Sequence, residues 1–115
     1  IEIDDLLNVF NQSMKVCYQL LGNTAFKRPD PKKTGGFLKI NKAIFEVLSV
    51  SIAKLSISEQ QSLTIKKEQF RNSIHALFTQ EDFIKSCTSG TAKIPQVEYR
   101  HIQVQQLIKD IISND

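Results

Sequence analysis

The stretch Asn41-Lys42-Ala43-Ile44-Phe45-Glu46-Val47-Leu48-Ser49-Val50-Ser51-Ile52-Ala53-Lys54-Leu55 decides the fold. Its apolar residues Ala43, Ile44, Phe45, Val47, Leu48, Val50, Ile52, Ala53 and Leu55 cover most of a helical circumference. The β-branched residues among them suit a strand, but the length of the run without a turn residue favours a helix. A helix that is apolar nearly all round is a buried, central one. The run predicts an all-α domain built around residues 41–55.

Working outward, Leu6, Leu7, Phe10, Met14, Cys17, Tyr18 and Leu21 recur at three- and four-residue spacing. They predict an amphipathic first helix with this face inward, Asp4 or Asp5 as its cap and Gly22 as its stop. Residues 23–39 have no periodicity and contain Pro29, Pro31 and the Gly35-Gly36 pair. They predict a loop, anchored at its ends by Phe26 and Phe37. A loop of this length inside a compact domain is unusual and often functional.

Downstream, two overlapping capping boxes, Ser56 to Glu59 and Ser58 to Gln61, start a short helix. A longer helix follows from about Lys66 to Phe78, with Phe70, Ile74, Leu77 and Phe78 inward. Thr79 is the expected cap of a second short helix, Gln80 to about Cys87, closed by Gly90. Pro95 suits the first turn of a last helix, whose inward positions are Val97, Tyr99 or Arg100, Val104, Leu107, Ile108, Ile111 and Ile112. The expectation is four main helices and one or two short ones.

The 115 residues, 41% of them hydrophobic, make residues 1–115 one domain able to bury a core without staples. The start at Ile1, with neither initiator methionine nor signal peptide, suggests the C-terminal part of a longer protein. No apolar run approaches the roughly 20 residues of a membrane-spanning helix. Cys17 and Cys87 lack metal-ligand spacing and are expected as reduced thiols, which fits a soluble, cytoplasmic chain.

Catalytic signatures are absent. His75 and His101 lie near no nucleophile or carboxylate in a known local pattern, and each is expected to be a boundary imidazole. Asp4-Asp5 and Glu81-Asp82 are the only adjacent acids, and both pairs sit at expected helix N-termini, where the dipole favours them. No glycine-rich phosphate loop is present. The reading is a non-enzymatic chain with no metal and no cofactor.

The formal charge of +3 is unevenly placed. Lys27, Arg28, Lys32, Lys33, Lys39 and Lys42 stand against the single acid Asp30, so 27–42 carries +5 and the rest of the chain −2. These six residues are the candidate phosphate contacts, although no aromatic stripe accompanies them. The plain alternative is a solvated polar loop. Asn41 and Glu46 on or beside the apolar helix, and Arg100 on the inward face of the last, need partners if buried. A Glu46–Arg100 ion pair between packed helices is one solution, and extension of each side chain to solvent is the other.

Four segments carry a family resemblance. Phe26-Lys27-Arg28-Pro29, then Ile40 to Val47 leading into Val50 to Leu55, then Ser89-Gly90-Thr91, then Val97-Glu98-Tyr99-Arg100 resemble, in this order, the C-terminal helical region of the family catalogued as domain of unknown function 262 (DUF262). In that family an N-terminal ParB-like domain carries a nucleotide-binding, nuclease-type motif, an Asp-Gly-Gln-Gln-Arg-like run. Many members look like restriction or phage-defence proteins related to the GmrSD type. That motif is absent here, so the resemblance implies a non-catalytic half whose partner is the ParB-like domain, and no active-site residue carries over. It adds Thr91 to Asn41, Glu46 and Arg100 as polar candidates. Two functions follow as expectations: an accessory domain contacting DNA through the basic loop, or a protein-interaction and oligomerisation module without nucleic acid.

Overall fold

The computed structural model describes residues 2–113 and is all-helical. Six α-helices follow in order: α1 (Ile3–Leu21), α2 (Lys42–Ala53), α3 (Ile57–Ile65), α4 (Lys67–Leu77), α5 (Glu81–Thr88) and α6 (Ile94–Ser113). α1, α2, α4 and α6 form a ring in which each packs on the next, α1 on α2, α2 on α6, α6 on α4 and α4 on α1. The short helices close it, α3 against α6, α1 and α4, and α5 against α6 and α2. Ile44, Val47, Leu48 and Ile52 of α2 have no exposure and share the core with Leu20, Leu63, Phe70, Ile74 and Val104. One stripe of α2 does reach the surface, through Lys42, Glu46, Val50 and Lys54 at four-residue spacing.

Local signals explain the starts of α2 and α3 and the end of α1. Asn41 caps α2, its Oδ1 accepting from the Ile44 amide at 2.9 Å. Ser56 and Glu59 form the α3 capping box with both reciprocal bonds, at 3.1 and 2.9 Å, so the first of the two overlapping candidates is the real one. Gly22 ends α1 at φ +57°, a backbone that disfavours any residue with a Cβ. Arg71 then donates from Nε and Nη2 to the Leu20 carbonyl, at 3.1 and 2.9 Å, satisfying a group the helix leaves open.

Three sequence expectations are corrected. Neither Asp4 nor Asp5 caps α1; the cap position is Glu2, and both aspartates lie in the first turn. Thr79 does not cap α5, because its hydroxyl donates back to the Ala76 carbonyl at 2.7 Å and Gln80 takes the cap position without a side-chain bond. The inward face of α1 is the largest difference. Cys17 and Leu21 are buried as expected, but Leu6, Leu7, Phe10 and Tyr18 are exposed, and Ser13, Val16 and Leu20 are buried instead. Residues 2–11 are exposed throughout, because the first half of α1 overhangs the ring and borders Val50 and Ala53 of α2 across an open groove. Periodicity reports that a face is apolar, not that a neighbour covers it.

Candidate nucleic-acid interface

The segment between α1 and α2 is paired rather than irregular. After a 3-10 turn at Gly22–Thr24, the chain runs out and returns as a hairpin, with Pro29 bridged antiparallel to Phe37. Backbone amides of Asn41, Leu38 and Asp30 donate to the carbonyls of Phe26, Arg28 and Gly36 at 2.9–3.0 Å. At the tip, Asp30 Oδ1 accepts from the Lys32 amide at 2.9 Å, and Gly35 turns at φ +76°.

Phe26 anchors the base. It adopts φ +67°, a left-handed conformation costing a residue with a Cβ about 1–2 kcal/mol. The conformation is held because the ring is buried, edge-on to Phe45 at 4.8 Å and to Tyr18 at 6.0 Å. Phe37 anchors the returning arm against the His75 imidazole, with ring centres 5.0 Å apart. Burial, with Arg71 nearby as the smaller cause, holds the His75 pKa below its ordinary value.

The structure brings the six basic candidates onto this hairpin and its exit. Lys32 and Lys33 are exposed at the tip, Lys39 and Lys42 are exposed where the chain enters α2, and Lys27 and Arg28 are half-buried at the base. Among the described residues no carboxylate lies within ion-pair distance of these six. The only acid of the segment, Asp30, is engaged with the backbone.

Asn41 and Arg100 converge on the C-terminal end of α5, with the Thr91 carbonyl in the turn after it and Glu46 set against Arg100. A helix leaves its last carbonyls without amide partners. Arg100 Nη1 donates to Ser86 O at 2.9 Å and Thr91 O at 2.8 Å, while Asn41 Nδ2 donates to Cys87 O at 2.9 Å. A buried guanidinium at a helix C-terminus also complements the dipole. Arg100 Nη2 lies 3.4 Å from Glu46 Oε1, and His101 Nε2 lies 3.1 Å from the same oxygen. The hydrogen bond to His101, followed by Arg100 and opposed by partial burial, holds the Glu46 carboxyl below its usual value. Glu46 remains half open to solvent, so Arg100 is mainly a clamp on carbonyls and only secondarily half of an ion pair.

Cys17 and Cys87 are buried free thiols. Burial pushes Cys17 up to about 12 and raises Cys87, so neither is a ready nucleophile. Among the described residues no three His, Cys, Asp or Glu side chains are grouped to hold a metal ion, and no helix is long and apolar enough to cross a membrane. Sequence reasoning missed Arg71, Gln60 and Lys66. Gln60 Nε2 donates to Ile52 O at 3.0 Å, and Lys66 Nζ donates to Ile111 O at 2.9 Å. The partners of Arg71 and Lys66 are distant in sequence, and Gln60 reaches back across the turn between α2 and α3, so no spacing within one helix announces them. No family model, curated protein or solved structure matches this chain.

Proposed function

We propose that this chain is a non-catalytic helical accessory domain that holds nucleic acid by its phosphates through the basic hairpin. The single observation that carries the reading is the construction of that hairpin: a backbone-paired finger, pinned by Phe26 and Phe37, presents lysines to which no carboxylate among the described residues is paired. Pre-ordering reduces the entropy lost on binding, and counterion release from phosphates supplies affinity without sequence preference. The hairpin has no base-stacking aromatic stripe and no recognition helix, so it positions nucleic acid and does not read it.

The family resemblance places this role beside a ParB-like catalytic domain, in a cytoplasmic restriction or phage-defence setting. It is supported by the meeting of its segments in space. Asn41 and Arg100, from two of them, donate to carbonyls at the end of α5, and Arg100 also donates to the Thr91 carbonyl of a third.

The test is binding of duplex DNA over a salt series. Lys32→Glu with Lys33→Glu is expected to weaken binding with no loss of thermal stability, since both side chains lie outside the core. The slope of log affinity against log salt is expected to flatten by about 0.9 for each phosphate that the variant no longer neutralises. Equal binding by the double variant and the parent at low salt defeats the proposal.

A further inference from the structure

α1 is an amphipathic helix only half used. Ser13, Val16, Cys17 and Leu20 face the core, and the same line continues toward the N-terminus through Leu6, Val9 and Phe10, with Ile3 and Leu7 beside it. Those five side chains are 44–74% exposed. With Val50 and Ala53 of α2, Leu6, Val9 and Phe10 border a groove of about 160 Å³ whose lining contains no charged residue. An isolated two-turn helix end with this much apolar surface gains little from its own hydrogen bonds, because short helices are marginal without packing.

We infer that this overhang is a docking face for a second copy of the same chain, the two α1 helices packing antiparallel across a two-fold axis. Area and charge both select this occupant. The exposed parts of Ile3, Leu6, Leu7, Val9, Phe10 and Val50 amount to about 500 Å² per copy, so a symmetric pair that covers them fully buries at most about 1,000 Å², the lower bound for a specific interface and the range of weak association. An uncharged apolar patch is self-complementary, as a two-fold interface requires. The antiparallel sense separates the acidic tips, Glu2, Asp4 and Asp5, whereas a parallel pair stacks them together. The same acids repel an anionic lipid surface or nucleic acid, to which an interfacial helix normally offers lysine and arginine. Pairing through this face is independent of phosphate binding by the hairpin.

The test is the mass of the purified chain in solution, measured by light scattering and sedimentation from about 1 μM to about 1 mM, the window of weak to moderate association. The parent is expected to pass from 13.1 kDa toward twice that mass as concentration rises. Leu6→Glu with Phe10→Glu is expected to stay at the single-chain mass with unchanged helical circular dichroism. Ile65→Glu, at an apolar position outside the face that is 84% exposed, is expected to associate like the parent. Hydrogen exchange on the parent gives a readout that needs no variant, with amides of residues 6–12 becoming more protected as concentration rises. A parent that stays single at every concentration overturns the inference, as does a Leu6/Phe10 variant that still pairs. Binding of the single chain to vesicles, lost in the same variant, overturns it in favour of a lipid surface.

Discussion

Replacing Arg100 by Met tests whether this side chain acts as a clamp or as an ion-pair partner. Methionine keeps much of the buried stem volume and removes the guanidinium. The Ser86 carbonyl, buried at the end of α5, then loses its donor, and the Thr91 carbonyl, partly buried, loses its own. A hydrogen bond to a charged group contributes about 1.5–3 kcal/mol, and a buried acceptor left unpaired costs about 1–3 kcal/mol. Water can repair the Thr91 site, and removal of the unpartnered buried Nε gives a small gain. The expected loss is therefore about 3–5 kcal/mol, a large part of the total stability of an ordinary domain. Glu46→Gln is the control. Its carboxylate is 49% exposed and interacts at 3.4 Å, so its contribution is that of a surface pair, about 0–1 kcal/mol. Urea titrations followed by far-ultraviolet circular dichroism give both values, provided the slope with denaturant is unchanged. A loss below about 1 kcal/mol for the Arg100 variant, or equal losses for the two, refutes the carbonyl-clamp reading.

Two further outcomes follow from burial and titration. Leu48→Ala, at a position with no exposure, is expected to cost about 2–5 kcal/mol in the same titration, whereas Ile65→Ala on the surface stays within about 0.5 kcal/mol. The folded-state pKa of His75 lies below its ordinary 6.5, so its contribution to stability is complete above 6.5 and is lost as pH falls through the lowered value. Glu46, depressed from 4.5, acts with the same sign in a more acidic window. The denaturation midpoint is expected to fall on acidification from about pH 7 to about pH 5, and His75→Gln is expected to remove that first part of the fall. A His75→Gln variant whose midpoint changes over this interval as the parent's does contradicts the placement of His75.

Local signals in the sequence determined the helical class, the apolar circumference of α2 and the inward face of α4, and narrowed the start of α3 to two overlapping capping boxes, of which the structure selects Ser56–Glu59. Each rests on residues within one or two turns of one another, where spacing alone sets which groups meet. The position of the basic segment was also legible, because its charge and its prolines and glycines need no tertiary partner to be seen. Its form was not. The pairing of Arg28 with Leu38 and the left-handed Phe26 depend on rings supplied by α1 and α2. Arg100 was readable only as a polar residue on an inward face, and its carbonyl partners lie on α5 and in the turn that follows it. The overhang of α1 lies furthest from what spacing can show. Leu6 and Phe10 have the same periodic signature as Cys17 and Leu21, and only the positions of the neighbouring helices decide which end of one apolar stripe is buried and which is left open.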